Sequence, residues 1–386
     1  NHTIRKITPA GVVTTLAGIT GVPGAENGSA LQASFRGPQG VAIDAGSNLY
    51  VADTANHVIR KISAGVVSTL AGTMGTPGAA DGTGILARFN RPTHVVLDSA
   101  GTLYVADSGN HVLRRITATG VVTTFAGTPG LAGGDDQTAA NARFNSPTDL
   151  AIDSFGTLYV ADTGNLTIRK VTSAAVVTTL AGQAGFYGTV DGTGASARFA
   201  SPVGVTLDAS GSLWVLDGTR VRKVTAAGQV TSPVGSFRTG ASDGVGAAAE
   251  FSSPQAICRA PNGVFYVADT GNSVIRSVQS NGSVTTFGGT ATVGYTNGVA
   301  TTARFRQPRG AAVDPFGNVY IADTGNHVIR KVTLSGVATT LAGSGVAGSL
   351  DEQGILAQFN APQGVAVDAF GNVYVCLLYT SDAADD

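Results

Sequence analysis

His94 and Asp149 are the two residues of this chain whose types and placement could do chemistry together. Each lies two residues after a proline, Pro92 and Pro147, that opens a unit of an internal repeat. At the same position the other units carry Gly40, Gly204, Ala256, Gly310 and Gly364. A histidine beside a carboxylate can serve as a base or as a metal ligand. Arg309, one position earlier in its own unit, could hold an anionic group. Gln39, Thr93, Thr148, Gln255 and Gln363 occupy that earlier position elsewhere and add amides and hydroxyls. The competing reading is that these side chains only line a solvated channel. No catalytic residue is assigned.

The elements that must position these residues recur along the whole chain. The aspartate ending a "YVAD" core returns at Asp53, Asp107, Asp162, Asp217, Asp269 and Asp323. Seven prolines open the units (Pro38, Pro92, Pro147, Pro202, Pro254, Pro308 and Pro362), each preceded by a phenylalanine such as Phe35, Phe89 or Phe144. A fixed period of this length marks a repeat architecture. Each unit reads as four short strands, here termed a to d, bounded by turn residues. In the first complete unit these are 41–43, 49–52, 57–62 and 66–71. A long Gly- and Ala-rich connection, 72–91, follows, and 84–89 in it is expected to form a helical turn. Four-stranded antiparallel sheets repeated around an axis form a β-propeller. Strand a would lie innermost and strand d outermost, with Phe89 and its equivalents wedged between blades. The start of strand a, the b–c turns and the long connections then share one face. His94 and Asp149 become neighbours at the channel mouth, with Arg309 across the opening.

The run from Tyr50 to Lys61, and its copies with Asp-Thr-Gly-Asn turns such as Asp162 to Asn165, resembles the "YVADTGNHxIRK" core of the NHL-repeat family. The resemblance covers nearly the whole chain and implies an all-β propeller. Residues 1–18 supply strands c and d only, and 364–375 supply a and b only. Together they make a seventh blade shared by both ends, a "velcro" closure that removes a free sheet edge. Six blades, common in this family, or a truncated longer array are the alternatives. Related propellers include lyases and lactonase-type hydrolases with a central metal. Such sites need several axial ligands, and only His94 and Asp149 stand out at that level here. Zinc or calcium therefore enters only under an enzyme reading, and no cofactor is otherwise expected.

Other repeating residues read as structural. The Asp-Thr-Gly-Asn turns are Asx-turns before they are calcium loops. His2, His57, His111 and His327 share one repeat position far from the axis, too dispersed to converge on a zinc ion. Arg5, Arg60, Arg114, Arg169, Arg276 and Arg330 are expected to pair with a neighbouring blade.

Charged residues make up 13% of the 386, and the net charge is −1. Nothing here offers the basic excess that holds a nucleic-acid backbone. No apolar run approaches the ~18 residues that span a bilayer. Cys258 and Cys376 suggest no disulfide framework. The chain starts within a repeat unit, as a fragment or processed product would. The propeller occupies 1–376. Residues 377–386 break the repeat and read as a non-native or disordered tail. The leading function is a non-catalytic, monomeric binding scaffold that presents its loop-rich face to a protein or carbohydrate partner. The alternative is a metal-assisted lyase or lactonase-type hydrolase at the channel mouth. Low charge with Thr- and Gly-rich strands suits an exported bacterial protein, extracellular or periplasmic.

Overall fold

A computed structural model describes residues 2–377. Seven antiparallel sheets carry their strands in repeat order around one axis. In the first blade the strands are Pro38–Ile43 (a), Leu49–Asp53 (b), Val58–Ser63 (c) and Val66–Ala71 (d). Strand b is buried along its whole length, because it sits mid-sheet with another blade against each face. That explains its unbroken apolar run, where a half-exposed strand would alternate. The seventh sheet joins the ends: Thr3–Ile7 lies antiparallel to Val373–Leu377, with Ile4 opposite Cys376 and Arg5 opposite Val375. Its inner strand Pro362–Val367 meets Pro38–Ile43 of the first blade. The molecule is a closed, seven-bladed propeller, and neither six blades nor an open arc describes it.

Five of the seven sheets carry a fifth strand that the repeat pattern did not announce. It is two residues long, as in Gly82–Thr83, which pairs with Val122 and Val121 at the outer edge of its blade. The reason is the long connection. It runs along strand d and satisfies an edge that would otherwise stay unpaired. A 3-10 turn at Gly84–Leu86 follows where a helical turn was expected. The chain then turns inward, and Phe89 is fully buried. Phe144 shows what the repeating phenylalanines do. It packs with Tyr104, Leu113 and Ala126 of one blade and with Leu158 and Val160 of the next.

The buried arginines correct an expectation. Arg60 pairs with Asp53 of its own blade at 3.0 Å, not with a neighbour. It also donates to the carbonyls of Ser34 (2.8 Å) and Glu26 (2.7 Å) in the connection entering that blade. Its guanidinium lies 4.9 Å from the Phe35 ring centroid. The clamp thus ties each incoming connection to its sheet. Arg222 belongs to the set as well, pairing with Asp217 at 2.8 Å; a shortened turn hid it from the repeat alignment. In the seventh blade Leu377 stands where the others have this aspartate, and Arg5 keeps only the aspartate of the connection, Asp351, the counterpart of Asp81 beside Arg114. Leu377, where the tail was expected to begin, is the buried last residue of its strand. Residues 378–386 lie outside the described residues.

Candidate functional site

The face that carries the b–c turns is built by repetition, and its clasps explain most of its polar residues. After Asp53 the chain makes a 3-10 turn, Thr54–Asn56, and His57 follows in the left-handed region at φ 60°. Asn56 donates to Asp53 Oδ2 at 2.8 Å and Asp53 Oδ1 accepts the backbone N–H of Arg36 at 2.7 Å, so the pair braces the turn side chain to side chain, where an Asx-turn was expected. His57 Nδ1 accepts the backbone N–H of Arg91 at the entry to the next blade, at 3.0 Å. His111 does the same for Ser146, His327 for Ala361 and His2 for Gly37. The dispersed histidines are blade-to-blade clasps, as their spread around the ring required. A second clasp escaped sequence reading. Thr54 Oγ1 donates to the Pro92 carbonyl of the next blade at 2.8 Å. Thr163, Thr270 and Thr324 repeat this to Pro202, Pro308 and Pro362. The signal was there in the hydroxyl residue after each "YVAD". Blade four breaks the series. Its turn is two residues short, and Thr219 donates instead to Ser236.

His94 and Asp149 do meet. Nδ1 of His94 lies 2.7 Å from Asp149 Oδ1. The N–H of Leu150 also approaches Nδ1, at 3.2 Å, but the contact with Asp149 is shorter and a carboxylate accepts only, so the proton is assigned to Nδ1 and the Leu150 N–H to the carboxylate. The N–H of Leu150 reaches the same Oδ1 at 3.0 Å, and the N–H of Val205, one blade further, reaches Oδ2 at 2.8 Å. Both carboxylate oxygens are thereby engaged. Burial works against the imidazolium, but the charge and hydrogen bond of Asp149 outweigh it and raise the His94 pKa above its usual 6.5. Among the described residues no group of three His, Cys, Asp or Glu side chains is placed to hold a metal ion.

A cavity of about 350 Å³ at the axis collects most of the candidates. Gln39, Thr93, His94, Thr148, Asp149 and Gln255 all line it. Thr93 and Thr148 are partly committed, sharing hydrogen bonds of 2.6 Å with Ser108 and Thr163 of their own turns. Arg309 lies elsewhere, in an adjoining cavity of about 540 Å³ that shares Gln255 with the first. Gln363 lines neither of these two cavities. The missed residues are Arg306 and Gln307, which precede Pro308 and line the second cavity. Each unit has a residue at these positions, and only comparison among units would have marked the arginine.

Fold and face together define a closed seven-bladed β-propeller whose axial mouth is lined by polar residues that differ from blade to blade. NHL repeats match residues 35–62, 89–115, 144–171 and 305–331, and the chain is an NHL-repeat propeller. It is 29% identical over 320 residues to Protein SUPPRESSOR OF QUENCHING 1, chloroplastic, of Arabidopsis thaliana, covering 77% of this chain and 30% of that protein. It is 31% identical over 293 residues to NHL repeat-containing protein 2 of Bos taurus, covering 66% and 40%. The chain thus spans well under half the length of either relative. Among solved structures, virginiamycin B lyase from Staphylococcus aureus superposes with a TM-score of 0.58 at 12% identity, over 89% of this chain and 95% of the other. That likeness is one of fold. No helix among the described residues is long and apolar enough to cross a membrane.

Proposed function

We propose that this propeller is a non-catalytic binding module that presents the mouth face to a protein or carbohydrate partner. The observation that carries this reading is the use of Asp149. Its two oxygens hold His94 and the backbones of Leu150 and Val205, so the pair works first as a spacer between three blades. Around it, amides, hydroxyls and arginines vary while strands and clasps repeat, as when a rigid scaffold carries a recognition surface. A second reading rests on the same bond. Asp149 fixes the His94 tautomer, as an orienting carboxylate does for a general base.

Turnover separates the two. The protein is incubated with a panel of lactones and cyclic depsipeptides in the presence of Mg²⁺, Ca²⁺ or Zn²⁺, alongside His94→Gln. The expected result is no product beyond that of the variant, with saturable binding on a glycan array that survives chelator. Product formation lost in His94→Gln overturns the binding reading in favour of an enzyme at the channel mouth.

A further inference from the structure

The cavity beside the axial one has a chemistry that the repeat does not require. Arg306 and Arg309 are exposed and line it together with Gln255, Gln307 and Ser253. No Asp or Glu lines it. Among the described residues neither guanidinium has a carboxylate partner, whereas the seven buried arginines of the blade clamps all do.

The backbone under these side chains is fixed from several sides. The Arg306 N–H donates to the buried Asp323 at 2.7 Å, and its carbonyl accepts from Gly325 at 2.8 Å. Gln307 is held at φ 49°, a left-handed conformation that costs energy for a residue with a side chain. Its N–H is held by Ser273 Oγ. Thr270 Oγ1 then clasps the Pro308 carbonyl at 2.6 Å. Two guanidinium forks therefore project from a segment that has little freedom to rearrange, which lowers the entropy lost on binding.

The seam on the other side of this cavity lacks one of the repeating clasps. Blade four lacks the hydroxyl that elsewhere clasps the next proline carbonyl, so the Pro254 carbonyl has no such partner among the described residues. Inner strand a of blade five is shortened to Ala256–Arg259, leaving Gln255 outside it and exposed. Gln255 is the residue that borders both cavities, so a polar path runs from the arginines to the axis.

Resting on the binding reading above, we infer that this groove takes an acidic saccharide. Its carboxylate is received by Arg306 and Arg309, and its hydroxyls by the glutamine amides along the path to the axis. Planar guanidiniums match carboxylates in a two-bond fork. Amides and hydroxyls suit a sugar ring. The lining offers one aliphatic residue, Val293, and no aromatic, where a peptide interface would centre on buried aromatic anchors.

The test uses trigalacturonate and its fully methyl-esterified, neutral counterpart, measured by calorimetry at low salt. Trigalacturonate is expected to bind, the ester to bind about tenfold more weakly, and Arg309→Gln and Arg306→Gln each to lose about tenfold for the acid alone. Both variants replace exposed side chains, and an unchanged melting temperature checks that they fold. Equal binding of acid and ester overturns this proposal while leaving the binding reading intact. Inorganic sulfate or phosphate competing as strongly as the trimer shows an anion site without sugar recognition, and also overturns it. No binding of the trimer at all overturns it as well. Cleavage of the trimer, followed by mass spectrometry, sinks the binding reading itself.

Discussion

Blades six, seven and one meet their successors differently from blades two and three. At Gly310, Gly364 and Gly40 the inner strand runs backbone against backbone with the next blade. A Cβ placed on Gly310 would lie 2.0 Å from the Gln363 carbonyl, and one on Gly40 2.7 Å from that of Thr93. Across the ring, His94 and Asp149 stand at the same repeat position and fill the seam with side chains that reach Asp149 and the N–H of Val205. Two local solutions therefore close one circle. The first leaves no room for a side chain at this one position of the inner strand. The second admits side chains and gains a polar lining. The His94–Asp149 contact at the mouth follows from the ring being held there without glycine at this position.

If the two arcs differ only at the inner strands, the wedges farther out should weigh the same in both. Phe144 packs at the seam of blades two and three, and Phe359 at that of blades six and seven, against Tyr320, Ile329, Val373 and Val375. Both are fully buried. Each phenylalanine to alanine change should cost ~3–5 kcal/mol in urea unfolding. A cost under about 1 kcal/mol for Phe144 alone would mean that the His94 seam is loose throughout its depth.

Glycine tests the inner seam directly. Gly310→Ala drives a methyl into a backbone carbonyl and should cost ~1–3 kcal/mol or more through overpacking. Gly204→Ala places its Cβ 3.4 Å from Leu216 and 3.8 Å from Asp149, an ordinary contact, and should stay within about 0.5 kcal/mol. The same unfolding experiment reads both. Equal costs would remove the distinction between the arcs.

The architecture was legible because burial on both faces forces the same apolar strand and the same wedge in every unit. Periodicity alone therefore led to seven blades and to the shared last one. The channel position of His94 and Asp149 was legible too, since it follows from topology. What the pattern could not convey is which partner a repeated polar group selects. Arg60 and its copies turn to their own blade because the aspartate seven residues earlier lies on the adjacent strand, a matter of register. The hydroxyl clasps of Thr54 and its copies join residues 38 or 39 apart, a distance no local motif marks. The repeat order puts Arg309 across the opening from His94; it lines an adjoining cavity between blades five and six, a separation that strand order alone does not convey.

The gentlest probe of the two arcs is pH, and the signs are opposite. His94 has its pKa raised: burial opposes its charge, and Asp149 more than restores it. Its clasp contributes stability that is fully present below pH 6.5 and fades as pH rises through the folded value. His2, in the glycine arc, is pushed down to about 4 by burial, by the charge of the N-terminus and by Arg36. Its Nδ1 must stay bare to accept the Gly37 N–H, so this clasp contributes above pH 6.5 and is lost as pH falls toward 4. Burial, then Arg91 and Arg36, lowers His57 in the same direction. The buried aspartates such as Asp53, pushed up to about 6 chiefly by burial, titrate in the same range with the other sign. Melting temperature of the parent alone would therefore blur the effect. Comparing each variant with the parent cancels that background. His94→Gln should lose more against the parent at pH 5.5 than at pH 8, and His2→Gln should lose more at pH 8 than at pH 4.5. Imidazole proton resonances should place one histidine above 6.5 and at least two below it. A His94 resonance that titrates below 6.5 would show that Asp149 does not govern it, and the side-chain seam would then be a solvent-filled gap.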